Sequence, residues 1–358
     1  MGADRAADRA AGTAADRAAG TAADRAAGRG TGAARVVVTG GSGFVGRHLA
    51  RALAERGDEV TVFDISPPHP SGIADGVRYV TGDVRDIDAL STVIDGGIDV
   101  VYHLAAVVGV DLYLARPLDV VDINLIGTRH VLELAERASA KVIFTSTSEV
   151  FGKNPGVPWS EDADRLLGST ATDRWSYATS KALAEHLIFA FARQRGLRAS
   201  IIRYFNLYGP GQRPAFLVSR SIHRALRGVP PVVYDDGGQT RSFTYIDDAV
   251  SATLAIADAA AAEGESFNVG CSDEMSIGHA VKLIVELTGC ALEVVPVDTR
   301  RRFGDTYQDL SRRIPDTTKV RTLLGWQSTV PLHDGLAATI EWARANPWWL
   351  EQPDTAFA

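Results

Sequence analysis

The sequence predicts an α/β domain built on a doubly wound parallel sheet, with a smaller C-terminal lobe. Three observations predict it. Arg35-Val-Val-Val-Thr39 runs through Gly40-Gly-Ser-Gly-Phe-Val-Gly46 into a helical pattern, His48–Arg56, closed by Gly57, and strand, glycine turn and helix open a βαβ unit. A second β-branched run, Glu59–Asp64, ends on a carboxylate. Beyond it, apolar strands keep alternating with long helical patterns, the rhythm of a parallel sheet covered on both faces by right-handed crossovers.

In chain order, further strands are expected at Val77–Thr81, Val100–Leu104, Val142–Thr145 and Ser200–Tyr204. Helices are expected near Ile87–Ile94, Leu118–Arg137 and Ser176–Arg195. Past Phe205, Pro210, Pro214, Pro230 and Pro231 break the rhythm. Shorter helices are then expected at Leu217–Arg227, Asp247–Ala262, Ile277–Thr288 and Leu332–Ala345. The expected organisation is a tail over 1–33, a dinucleotide-binding domain over 34–205, a mainly substrate-binding lobe over 206–346, and a C-terminal tail over 347–358. Ligands of open α/β sheets bind at the carboxyl edge of the strands, which the second lobe would cover.

The first 33 residues differ in kind from the rest. Ala6–Thr13 reads AADRAAGT, Ala14–Thr21 repeats it and Ala22–Arg29 nearly does. A period of eight suits no solenoid, nothing but Met1 is apolar beyond alanine, and a glycine interrupts each repeat, so the segment reads as a disordered tail. It holds five Arg and four Asp, so a chain of net charge −7 leaves −8 on the folded part. No basic field would recruit nucleic acid or an anionic membrane. Cys271 and Cys290 are too few for a disulfide framework or a cysteine metal site. No apolar run of about 18 residues or secretory signal is evident. A cytoplasmic setting is the expectation, with neither membrane nor nucleic acid as partner and no metal.

Gly40, Gly43 and Gly46 allow the backbone to turn sharply and approach a pyrophosphate held on helix N-terminal amides. The spacing alone is weak evidence. Its place between a strand and a helix, with Asp64 about 20 residues on, makes it a strong dinucleotide signature of the Rossmann type. An acid at Asp64 would accept hydrogen bonds from the adenosine ribose and repel a 2′-phosphate, so NAD is preferred to NADP. Tyr177-Ala-Thr-Ser-Lys181 puts a phenol and an ammonium on one helix face. The ammonium, joined by an oxidised nicotinamide, is expected to bring the phenol toward a working pKa, so that Tyr177 can take a proton from a sugar hydroxyl.

In this company stand Gly82-Asp-Val-Arg-Asp86, His103-Leu-Ala-Ala106, Asn124 with Gly127-Thr128, Ser146-Thr-Ser-Glu-Val-Phe-Gly152 and Arg203-Tyr-Phe-Asn-Leu-Tyr-Gly209. With the glycine turn and the tyrosine–lysine pair, they resemble an extended short-chain dehydrogenase/reductase. More narrowly, the chain is similar to nucleotide-sugar epimerases, dehydratases and decarboxylases from about Arg35 to Trp342. The resemblance implies NAD as cofactor, with Phe44, Val45, Leu104 and Ala105 beside it, Asp83 and Val84 at the adenine, and Lys181 on the nicotinamide ribose. It also implies Thr147 on the sugar C4 oxygen, Asn206 and Arg241 on the substrate diphosphate, and a homodimer.

Such enzymes share a 4-keto sugar intermediate and differ in the fate of that ketone. Thr147-Ser148-Glu149-Val150 resembles the signature of UDP-glucuronate decarboxylases, in which serine and glutamate lie by the substrate carboxylate. Arg313, in Arg313-Ile-Pro-Asp316, resembles the arginine that reaches that carboxylate or serves proton delivery near C5. Decarboxylation of UDP-glucuronate is therefore the first reading. 4-Epimerisation is the alternative, since Arg213 lies where UDP-glucuronate 4-epimerases place a carboxylate-binding arginine. Dehydration ranks behind both, because Ser148-Glu149 lacks the expected aspartic acid. A non-catalytic NAD-binding relative is a different class, against which Thr147, Tyr177 and Lys181 stand together.

Overall fold

The computed structural model describes residues 33–303 and 310–354. Most of the expected tail, 1–32, and residues 355–358 therefore lie outside the described residues. Six strands alternate with helices as the patterning requires: β1 (Arg35–Thr39), β2 (Glu59–Asp64), β3 (Arg78–Thr81), β4 (Val100–His103), β5 (Lys141–Thr147) and β6 (Ala199–Tyr204). Then come β7 (Leu207–Tyr208), β8 (Val232–Tyr234), β9 (Thr240–Arg241), β10 (Thr244–Tyr245), β11 (Ser266–Val269), β12 (Met275–Ser276), β13 (Val295–Val297) and β14 (Arg312–Arg313).

The main sheet runs β11-β6-β5-β4-β1-β2-β3, with every neighbour parallel. Strand order reverses at β1, between β2 and β4, so the turns after β1 and β4 open on a common crevice at the carboxyl edge. Val36, Val37 and Val38 are buried to within 1%, as central parallel strands demand. The helix Phe44–Glu55 turns Gly46, Leu49, Ala50 and Leu53 inward, the i, i+3, i+4, i+7 stripe of a helix lying on a sheet. Val37, Val101, Val142, Phe144 and Ile201 of the sheet share a core cluster with Val131, Leu132, Ile188 and Phe191 of the helices on one face.

Sequence and structure differ at three places. The expected helix Leu118–Arg137 is a run of Pro117–Asp122, a π-helical turn Ile123–Gly127 and Thr128–Ala138. The wide turn places buried Asn124 so that its Nδ2 donates to Ser180 Oγ at 2.9 Å. β11 returns from beyond residue 206 to complete the main sheet, a strand the patterning does not assign. Finally, the C-terminal segment is not wholly a tail. Pro347–Leu350 is helical, and the buried Trp349 indole donates to Gln212 O at 2.9 Å. Asn346-Pro347 supplies the physical reason, proline being suited to the first helical position.

Candidate active site

The glycine turn is built as a cradle. Gly40 has φ +72°, and a Cβ there would stand 2.6 Å from Ala105 N; one on Gly46 would overlap Gly40 O. Only glycine fits at either position. Gly43 caps the helix Phe44–Glu55 without a side-chain bond, which leaves the first-turn amides, Phe44 and Val45 among them, without a side-chain cap, the arrangement that can receive an anion. Asp64, at the end of β2, accepts from Ser42 N and Ser66 N, both at 3.0 Å. Burial raises its pKa ahead of these bonds, which pull it down. The carboxylate thus fixes the glycine turn while standing at the position expected for a ribose ligand.

Leu104 and Ala105 follow β4 and are tied back to β1, their N–H groups donating to Thr39 O at 3.0 Å and Thr39 Oγ1 at 3.4 Å. Asp83 follows β3 and pairs with Arg85 at 2.6 Å, which holds its carboxyl below the usual range. Val84 is buried against Gly127. Strand ends of β1 to β4 therefore bring the expected cofactor residues to one edge. The cradle and the acid fit a dinucleotide on this structure's own geometry.

Thr147 is the last residue of β5, where its Oγ1 accepts from Glu149 N at 3.2 Å, and its side chain pulls the Tyr177 pKa down. Tyr177 and Lys181 stand one turn apart on the helix Ser176–Arg195. The Tyr177 ring stacks on Tyr113, centroids 4.7 Å apart and planes 7° from parallel. Lys181 donates to Thr145 O at 2.8 Å, with its ammonium 4.4 Å from the Phe144 ring centre. Burial lowers Lys181 to about 7, opposed by the Glu185 charge. His103, buried below the same lysine, bonds Thr39 Oγ1 at 2.7 Å and Thr128 Oγ1 at 3.0 Å. Burial first, and the Lys181 charge second, lower it to about 3.

One expectation changes here. Tyr177 is raised above the ordinary phenol range, by burial first and the Glu149 charge second, while Thr147 and Arg313 pull it down. The tyrosine–lysine spacing predicts a downward pull from the ammonium, but the ammonium is directed at Thr145 O. The largest charge effect on the phenol comes from a carboxylate.

That carboxylate is the centre of an arginine cluster. Glu149 lies in the tight turn Ser148–Phe151, beside the buried Ser148. Its Oε2 is 2.7 Å from Arg174 Nη1 and its Oε1 is 3.6 Å from Arg313 Nη1. Burial would raise its pKa, yet the charges of Arg174, Arg313 and Arg241 together hold it below the usual range. Arg241 and Arg313 are register partners in the parallel pair β9–β14, which delivers two guanidinium groups to one place. Asn206, at φ +37°, donates from Nδ2 to Ser242 O at 3.1 Å, beside Arg241 in sequence. Arg213 is engaged elsewhere, donating to Val108 O at 3.4 Å with its guanidinium 5.6 Å from the Phe216 ring centre. Of the segment before Arg313, 304–309 lie outside the described residues.

Sequence reasoning misses Arg174, Tyr113 and the buried carboxylate Glu185. Arg174 offers only one signal, its place three residues before Tyr177. Among the described residues, no group of His, Cys, Asp or Glu is arranged to hold a metal, and no helix is long and apolar enough to cross a membrane.

Residues 36–270 match the NAD dependent epimerase/dehydratase family. The chain is 38% identical over 317 residues to the UDP-N-acetyl-alpha-D-glucosaminuronate decarboxylase of Bacillus cytotoxicus, covering 87% of this chain and 98% of that protein. It is 32% identical over 331 residues to UDP-glucuronic acid decarboxylase 1 of Xenopus tropicalis, covering 90% and 76%. Among solved structures, the UDP-glucose 4-epimerase of Thermotoga maritima with UDP-glucose superposes with a TM-score of 0.80 at 30% identity, covering 87% of this chain and 99% of that one. Motif, sheet order and likeness agree, and the chain belongs to the NAD-dependent epimerase/dehydratase family of extended short-chain dehydrogenases/reductases, as an NAD-dependent enzyme.

Proposed function

We propose that the protein decarboxylates a UDP-hexuronic acid, UDP-glucuronate in the first place, through a 4-keto sugar. The observation that carries this is Glu149, ionised between Arg174 and Arg313, two residues beyond Thr147. Tyr177 takes the proton of the sugar 4-hydroxyl and Thr147 orients its oxygen. NAD, held by Gly40, Gly43, Gly46, Asp64 and Lys181, supplies a hydride acceptor when bound. The oxidised sugar is a β-keto acid. As its C5–C6 bond breaks, the electron pair passes into the C4 carbonyl, CO₂ leaves, and C5 then takes a proton from water. Arg313, fixed by Glu149, faces the departing carboxylate, while Asn206 and Arg241 serve the diphosphate, for which a guanidinium fork is well shaped.

The test is separate incubation with UDP-glucuronate, UDP-N-acetylglucosaminuronate and UDP-glucose, with NAD added, followed by mass and NMR analysis. Loss of CO₂ from either uronate is the expected result. Unchanged mass with inverted C4 would replace this reading with 4-epimerisation, the second reading, favoured by the Thermotoga maritima likeness.

The proposed assembly is a homodimer. Leu118 is 79% exposed and Leu183 50%, on the helices Pro117–Asp122 and Ser176–Arg195, which pack together, and Val121 and Ile126 extend the apolar face. Leu183→Glu should convert a sedimenting dimer to a monomer. A dimer unaffected by Leu183→Glu and Leu118→Glu together would place the interface elsewhere.

A further inference from the structure

Arg174 stands out because a cation this buried has to be matched. It lies in the helical turn Asp173–Trp175, directly before the helix that carries Tyr177 and Lys181. Its side chain is 8% exposed and that of Glu149 13%, and they meet at 2.7 Å across 25 residues of sequence. At that distance and burial, the pair interacts far more strongly than a surface ion pair. The groups facing Glu149 come from several elements. Arg313 on β14 and Arg241 on β9 are cationic; Tyr113, on the helix Val110–Ala115, and Tyr177 are neutral phenols raised by burial and by the Glu149 charge itself.

We propose that Arg174 is a positioning residue that keeps Glu149 ionised and aimed, so that Glu149 in turn holds Arg313 over the substrate carboxylate. Glu149 bridges two arginines, one through each oxygen, with the tight contact on Arg174 and the looser one, 3.6 Å, on Arg313. The tight partner anchors the carboxylate, and the looser arginine stays available to a ligand. A protonated Glu149 would lose the bridge and release Arg313. Glu149 is accordingly a fixed anion during turnover rather than a proton donor. This inference rests on the reading that Arg313 meets the substrate after C4 oxidation.

The geometry sets the sign of the pH effect. Without Arg174 the Glu149 pKa would rise, so on acidification a step needing ionised Glu149 would begin to fail at a higher pH than in the wild type. C4 oxidation and CO₂ release should be followed separately on UDP-glucuronate from acid to neutral pH. Arg174→Gln should move the acid limb of CO₂ release upward by about one pH unit or more, with oxidation changed much less. Arg174→Lys should restore most of the shift. In a Glu149→Gln background, Arg174→Gln should leave the limb where Glu149→Gln puts it.

A uniform fall in rate at every pH, with no moved limb, would overturn the proposal, and so would a shift that survives Glu149→Gln. Should Arg174→Gln not fold, Arg174→Lys with and without Glu149→Gln gives the same comparison on a smaller shift. Should the wild type invert C4 instead of releasing CO₂, the decarboxylase reading fails by itself. The limb of epimerisation is then read on the same variants: a shift dependent on Glu149 upholds the Arg174–Glu149 linkage, and its absence overturns it.

Discussion

Tyr177→Phe should slow C4 oxidation by on the order of 10³-fold, the scale of a lost general base, while leaving substrate and NAD affinity within a few-fold. The substitution removes one oxygen and keeps the ring that stacks on Tyr113 at 4.7 Å. Thr147 keeps the Glu149 amide bond that caps the following turn, so the local frame survives. Burial and the Glu149 charge raise the Tyr177 pKa. The wild-type oxidation rate should therefore climb with pH toward that ionisation. Lys181, poised at about 7, loses its charge over part of the same range. Glu149→Gln removes the negative charge that raises the phenol, so its oxidation limb should move to lower pH. Single-turnover growth of reduced-cofactor absorbance measures both. A Phe variant that oxidises substrate at the wild-type rate would remove Tyr177 from the role of base.

What can be seen in the sequence is local. The glycine turn is legible because most of its contacts lie inside the turn, Gly43 and Gly46 each meeting Gly40 O, although Gly40 also meets Ala105 beyond β4. Tyr177 and Lys181 are legible because four residues make one helical turn, and Thr147 because it ends a strand. The features that stay hidden depend on distant partners. Arg174 looks like any surface arginine until the Ser148–Phe151 turn brings Glu149 to it. β11 is four residues long and joins the sheet only because β6 leaves an edge for it. In the chain by itself, no downward pull of Lys181 on Tyr177 is resolved, for the same reason. Helical spacing sets which residues share a face, but the direction of an ammonium depends on the acceptor it finds, here Thr145 O from β5.

The second large effect is on stability, and it concerns how the reactive helix is held. Glu185 lies one turn beyond Lys181 and is buried with Arg203 of β6, which bonds it through Nε at 3.0 Å and Nη2 at 2.8 Å; Arg165 adds a contact at 2.5 Å, and Ser146 Oγ donates to it at 2.6 Å. One carboxylate thus fastens the helix Ser176–Arg195 to β6 and to the residue preceding Thr147. Glu185→Gln keeps the shape but leaves the Arg203 guanidinium, 2% exposed, without the carboxylate it bonds directly. Removing one partner of a buried ion pair costs about 3–5 kcal/mol, so the urea midpoint should fall sharply. Burial would raise the Glu185 pKa, yet Arg203, Arg165 and Ser146 hold it below the ordinary value. A depressed carboxylate stabilises the fold above its unfolded pKa, near 4.5, and that contribution is lost as pH falls through the folded value. The wild type should lose stability on acidification more steeply than Glu185→Gln, and the two unfolding curves should converge in acid. Curves that stay parallel from neutral to acid pH would show that the network holds the helix by packing alone, without the charge.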